Sequence, residues 1–209
     1  IAERAGADFT VTVKVPVGEK APPFTRHTTW EEGLALCRLV EDFGYDSVTP
    51  VEVSVFPDTT LSRGGIPSSL WRNPAMQKRF RAAAPRRSER AVLAAGYVLG
   101  GATAPFRPVW NRSRFIAAKA AVSIPVLAVG GIRDAQQVDE ILDGGQADLV
   151  GIGRPFYAEP DLAERILGGR PEPGLCQYSN LCVPAQMLGM KGACYNPAVT
   201  KRRREAPPS

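Results

Sequence analysis

The 209-residue chain reads as an α/β domain built on a parallel sheet, amounting to about half of a closed (β/α)8 barrel. Three observations predict this. Strand-like runs alternate with amphipathic helical stretches, the order that βαβ crossovers produce. The last two strand candidates, "IPVLAV" (124–129) and "ADLVGI" (147–152), are apolar nearly throughout, as strands covered on both faces are. Only four such runs can be counted, where a closed barrel needs eight strands and typically about 250 residues.

The elements follow in order. Residues 8–15, "DFTVTVKV", alternate apolar and polar as a strand does and stop at Pro16 and Gly18. A loop to residue 29 carries the single histidine, His27. "TTWEEGLALCRLVEDFG" (28–44) reads as a helix: Thr28 or Thr29 caps it, and Glu31 and Glu32 suit its first turn. Leu34, Cys37, Val40 and Phe43 recur near helical spacing, and Gly44 stops it. "YDSVTPV" (45–51) is a second short strand. Residues 52–110 are long for a connection between strands and read as an elaborated excursion, with a basic helical candidate around 75–95. Regularity returns with a helix over 112–121, a strand over 124–129, a helix over 135–142, a strand over 147–152 and a helix over 160–167. Asp134 with Gln137 has capping-box spacing, and Gly144 and Gly145 end that helix.

The net charge of +5 is unevenly spread. Residues 72–90 hold seven Lys/Arg against one Glu, and "KRRRE" (201–205) adds a net +3, so the remainder is mildly acidic. Neither basic stretch is interleaved with the aromatic residues that stack bases, so they read as a solvated face and a loose tail, with no nucleic-acid partner expected. No apolar run approaches the ~18 residues of a membrane span and no signal-peptide pattern is present, so a cytoplasmic protein is expected. Four cysteines are too few for a disulfide scaffold. The chain starts at Ile1 inside an apparent helix tail, so upstream material is expected to be missing.

The chemistry concentrates in two turns. Gly130-Gly131 follows the strand at 124–129, and Gly153-Arg154 follows the strand at 147–152. Glycines there serve tight turns that need positive φ. They also let backbone N–H groups approach an anion, and Arg154 adds a charge-assisted contact. Phosphate sites in barrels favour the loops after the last two strands, which is where these turns lie if the chain ends a barrel. "GGIRDA" is not G-x-G-x-x-G, so a Rossmann dinucleotide site is not indicated.

"IPVLAVGGI", "ADLVGIGRPFYAEPDL" and, more weakly, "DFTVTVKVP" resemble the C-terminal strands of the old yellow enzyme (NADH:flavin oxidoreductase) family. The resemblance implies the C-terminal half of an FMN-binding (β/α)8 TIM barrel, with NAD(P)H as reductant and a small-molecule substrate. The substrate would be an enone, an enoyl thioester or, in the dehydrogenase branch, an amine. Gly130, Gly131, Gly153 and Arg154 would bind the FMN phosphate, and Lys14 would stand where the family carries a cation, usually Arg, beside the flavin pyrimidine. Positive charge there stabilises the reduced flavin. The family's substrate-holding pair, His/His or His/Asn, belongs to the first half of the barrel. His27 has no partner at that spacing, so no catalytic residue is assigned. Glu52 and Arg63 are polar candidates near the substrate face without a role.

"LCQYSNLCVPAQMLGMKGACYNP" (175–197) is similar to the segment that binds a 4Fe–4S cluster in the iron–sulfur branch, C-x2-C-x3-C-x11-C. Cys182 and Cys194 keep the x11 spacing. The head is altered, with Ser179 three residues after Cys176 and Cys182 one residue early. Loss of the cluster is expected, with partial iron or zinc binding by Cys176, Cys182 and Cys194 as the alternative. The expected organisation is a partial FMN-binding barrel over 1–170, a cysteine-containing extension over 171–200 and a basic disordered tail over 201–209. Four strands leave open sheet edges, so a missing N-terminal half or a second copy is expected to cover them, and a non-catalytic half-barrel is the alternative function. An aldolase or isomerase reading would need a Schiff-base lysine, for which Lys14 is the sole candidate.

Overall fold

Capping decides where the first helix begins. The computed structural model describes residues 6, 8–21, 24–53, 63–169, 172 and 174–205. Its elements are β1 (Thr12–Pro16), α1 (Trp30–Asp42), β2 (Ser47–Val51), α2 (Ser69–Arg72), α3 (Pro74–Ala83), α4 (Arg87–Thr103) and α5 (Arg112–Lys119). They continue with β3 (Leu127–Val129), α6 (Ala135–Leu142), β4 (Leu149–Gly151), α7 (Arg154–Ala158), α8 (Leu162–Leu167), α9 (Val183–Met187) and α10 (Pro197–Glu205). At the start of α1 the Thr29 hydroxyl accepts from the Glu32 N–H at 3.2 Å. The Glu32 carboxylate accepts from the Thr29 N–H at 2.8 Å, which completes a capping box.

The chain divides into two compact units. The first comprises Ile1–Val53, Val109–Ile132 and Gln137–Gly151; the second comprises Ser54–Pro108, Arg133–Gln136 and Ile152–Ser209. By sequence the first carries a net charge of −5 and the second +10, so the basic character belongs to the second unit.

The first unit holds the strands. β1 and β2 pair in parallel with Lys14 opposite Thr49, and β3 and β4 pair in parallel with Leu127 opposite Leu149. They form two two-stranded sheets, β1-β2 and β3-β4, and one isolated parallel bridge between Val48 and Val126 brings β2 beside the approach to β3. These are the four parallel strands the sequence predicts. Val17, Cys37, Val48, Phe115, Val126 and Ile141 form the core beneath and between them. α1 lies so close to the end of β1 that a Cβ on Gly33 would stand 2.5 Å from Val17 Cα, so only glycine fits there. Cys37 is fully buried, and desolvation pushes its thiol up to about 11, which marks a structural cysteine.

The last turn of α1 is tied to the approach to β3. The Glu41 carboxylate accepts hydrogen bonds from the Ser123 hydroxyl and, at 2.8 Å, from the Ser123 N–H. These bonds, the hydroxyl's first, hold its carboxyl below the ordinary value of 4.5. A depressed folded-state pKa contributes stability above the ordinary value, and that stability is lost as pH falls through the lowered one. Glu41→Gln should therefore flatten the acid limb of the stability profile while leaving its slope above about pH 6 unchanged, as read by thermal melts across that range.

The second unit is helical. The basic stretch expected as one helix is two, because Pro85 interrupts it. Arg90 Nη1 donates to the carbonyls of Ala84 and Pro85, both at 2.7 Å, across the break. Asn73 caps α3, its side chain accepting from the Ala75 and Met76 N–H groups, with Pro74 in the first turn. Residues 201–205, expected as disordered tail, continue α10, whose Val199 is buried; 206–209 lie outside the described residues. Among the described residues no helix is long and apolar enough to cross a membrane.

Candidate functional site

The two glycine turns have different physical explanations. Gly130 sits at φ +105°, and a Cβ there would lie 2.7 Å from Asn111 Cβ and 3.0 Å from the Trp110 ring. Asn111 is itself fully buried: its side chain donates to the Pro50 carbonyl at 2.8 Å and accepts from the Glu52 N–H at 3.3 Å. Packing and backbone conformation alone therefore demand glycine at 130. Gly131 is also left-handed, at φ +85°, and its carbonyl accepts from the Val109 N–H at 3.3 Å. Gly153 is the opposite case. Its φ of −106° is not left-handed, and a Cβ would meet nothing within 4 Å. Packing does not ask for glycine there.

Arg154 follows it in the second unit. Its Nη1 donates to the Arg63 carbonyl at 2.8 Å and to Asn180 Oδ1, while its guanidinium lies 5.2 Å from the centre of the Tyr178 ring. Nη1 is thereby committed. The Nε–Nη2 edge makes no hydrogen bond, and Arg154 has no carboxylate partner, among the described residues. Burial holds the guanidinium below its ordinary pKa. A half-buried cation with one edge pinned and the other open presents the fork geometry that takes an oxyanion in bidentate fashion.

The remaining predicted residues divide between the units. Lys14, Gly130 and Gly131 belong to the first, Gly153 and Arg154 to the second. Lys14 is exposed on β1 and has no ion-pair partner among the described residues. Glu52, unassigned by sequence, is 3% exposed at the end of β2. It pairs with Arg114 at 2.6 Å and with Lys20 at 3.5 Å, and Arg114 Nε also donates to the Val17 carbonyl. Its observed partners are structural. Arg63 contributes its carbonyl to Arg154. His27 is exposed, with Nδ1 2.9 Å from the Thr25 carbonyl, and it lines an open groove of about 660 Å³ with Glu19, Arg26, Leu36 and Leu39.

Cys176, Cys182 and Cys194 are free thiols lining one small cavity of about 20 Å³, together with Arg154, Tyr178 and Asn180. Burial raises the Cys176 and Cys182 thiols above their ordinary value, so both are neutral near pH 7. Among the described residues no three His, Cys, Asp or Glu side chains are arranged to hold a metal ion. The sequence gives Tyr178 and Asn180 no role. Their roles depend on left-handed backbone, φ +50° and +59°, and on distant partners, so the sole signal in the sequence was an asparagine in a glycine-poor loop.

Residues 95–173 match the NADH:flavin oxidoreductase / NADH oxidase family. That span contains Gly130, Gly131, Gly153 and Arg154; Lys14 and the cysteine segment lie outside it. Over 85 residues the chain is 35% identical to the N,N-dimethylglycine/sarcosine dehydrogenase of Chromohalobacter salexigens, covering 40% of this chain and 12% of that protein. It is 41% identical over 54 residues to the metal reductase of Desulforamulus reducens, covering 26% of this chain and 8% of that protein. It is 38% identical over 52 residues to the NADH oxidase of Thermoanaerobacter brockii, covering 25% and 8%. The chain thus spans a small fraction of the length of the curated relatives it matches. The strongest part of the resemblance, the two apolar strands and the turns that follow them, falls inside the matched span, and over residues 95–173 the chain is similar to the NADH:flavin oxidoreductase / NADH oxidase family.

Proposed function

We propose that the chain is part of an FMN-dependent NAD(P)H oxidoreductase of the old yellow enzyme type. On this reading its four parallel strands belong to the C-terminal half of a (β/α)8 barrel, and Lys14, Gly130, Gly131, Gly153 and Arg154 contact FMN. The observation that carries it is the state of Arg154: a half-buried guanidinium that, among the described residues, has no carboxylate partner and no hydrogen bond on its Nε–Nη2 edge. Buried charge is ordinarily compensated, and a phosphate dianion supplies what this site lacks. Gly153 supports the same reading, since the open space over its Cα lets an anion reach the backbone.

FMN, when bound, supplies hydride transfer between nicotinamide and substrate. The chain's own residues bind and orient. Arg154 would hold the phosphate through its open edge, Gly153 would admit it, and Lys14 would supply the positive charge that favours reduced flavin. The substrate is an electrophilic alkene or an amine, the two classes within reach of such a flavin.

Riboflavin, which lacks the phosphate, gives the test. Titrated into the purified chain and followed by quenching of flavin fluorescence, FMN should bind tens- to a hundredfold more tightly than riboflavin. Equal affinity for the two, or binding of neither, would overturn the proposal. Alanine at the two turns should separate their roles. Gly153→Ala should weaken FMN about tenfold with an unchanged melting temperature. Gly130→Ala should cost about 2–4 kcal/mol of stability, through left-handed strain and overpacking against Asn111.

A further inference from the structure

Between its cysteines the chain builds something the spacing of thiols does not explain. Tyr178 and Asn180 both adopt left-handed backbone, which costs a non-glycine residue roughly 1–2 kcal/mol. Both are buried, at 4% and 5% exposure. The loop is held in this shape from several sides. The Gly65 N–H donates to the Tyr178 carbonyl at 2.8 Å, and Gly64 approaches that oxygen so closely that a Cβ would lie 2.1 Å from it. The Asn196 side chain donates to Gln177 Oε1 at 2.9 Å and to Ser179 Oγ at 3.3 Å. The Tyr178 ring stacks on Phe106 with centroids 3.5 Å apart and planes 13° apart. This strained, braced loop delivers two things to one place: the Tyr178 ring face and Asn180 Oδ1, both against the Arg154 guanidinium.

We propose that Asn180 is the positioning residue for the Arg154 anion grip, pinning Nη1 so that the Nε–Nη2 edge is the one presented to the flavin phosphate. The inference rests on the FMN reading above. A guanidinium has two edges that can take an oxyanion, one of which includes Nη1. Asn180 Oδ1 and the Arg63 carbonyl consume Nη1, and the Tyr178 ring supports one face. One edge and one plane are thus selected. Both pinning groups are neutral, so they orient the cation without neutralising it and leave its charge for the ligand. An aspartate at 180 would hold the same geometry and cancel that charge.

The test is Asn180→Gly, which keeps the left-handed turn and removes the Oδ1 acceptor with the rest of the side chain, with Asn180→Asp beside it. Each is titrated with FMN and with riboflavin, and the Arg154 side chain is observed by 15N NMR in the flavin-free protein. Asn180→Gly should weaken FMN about tenfold, leave riboflavin affinity and melting temperature unchanged, and merge the separate Nη1 and Nη2 resonances of Arg154 into one. Asn180→Asp should keep the resonances separate and still lose the preference for FMN over riboflavin. If Asn180→Gly weakens FMN and riboflavin alike, or leaves the two resonances distinct, the positioning role is overturned. Should the resonances merge while the unsubstituted chain binds FMN and riboflavin equally, the pinning stands and the phosphate reading falls, so the two failures are separable.

Discussion

Replacing Arg165 with methionine should lower the unfolding free energy by about 3–5 kcal/mol. Arg165 and Glu159 are 8% and 7% exposed in the helical unit, with Arg165 Nε donating to Glu159 Oε1 at 2.7 Å. Glu159 Oε2 accepts from the Leu175 N–H at 2.6 Å, and Arg165 Nη1 donates to the Glu172 carbonyl. The pair thus ties the start of the cysteine segment to α8. Removing the cation strands a buried carboxylate, whose desolvation is then unopposed. The double variant Arg165→Met/Glu159→Leu should recover much of the loss, because a buried ion pair is worth little more than an apolar pair of similar volume. Urea titrations of the three variants, compared at constant m-value, check this. A double variant as unstable as the single one would show that the Leu175 and Glu172 backbone bonds matter more than the ion pair.

Arg154→Lys should abolish most of the preference for FMN over riboflavin, a fall of about a hundredfold toward riboflavin's affinity. Charge is conserved in this substitution, so a merely electrostatic role would survive it. Geometry is not conserved. An ammonium at the end of a flexible stem cannot bond Asn180 Oδ1 and the Arg63 carbonyl on one side while donating two parallel bonds on the other. A pH series adds a second check. Cys176 and Cys182 are neutral up to and beyond their ordinary value of 9.0, since burial raises both. Above that pH their thiolates would compensate Arg154 from within and compete with the phosphate. FMN affinity of the unsubstituted chain should fall on that alkaline limb, and Cys176→Ser/Cys182→Ser should remove the fall. An FMN affinity insensitive to Arg154→Lys would place the phosphate elsewhere.

The fold was legible wherever local rules act. Thr29, one of the two residues read as the cap, does cap α1, with Glu32 of the first turn closing a capping box, and the apolar runs at 124–129 and 147–152 contain the parallel strands β3 and β4. The basic stretch around 75–95 within the excursion reads as one helix on composition and is two, because Pro85 breaks it. Residues 201–205 were read as tail because charge predicts solvation, while the buried Val199 anchors a helix that the charges merely coat.

The candidate site divides along the same line. By itself the sequence determined the α/β class, the two glycine turns, the Gly-Arg pair and the family that residues 95–173 resemble, since each rests on residue type and short-range spacing. Only the tertiary structure decided that Gly130 is explained by its packing on Asn111 and Trp110 while Gly153 is not. It likewise turned Glu52 and Arg63 into structural partners and made the loop between Cys176 and Cys182 an orienting clamp for Arg154. Those outcomes depend on contacts between residues tens of positions apart and on left-handed backbone at Tyr178 and Asn180, which no local propensity encodes.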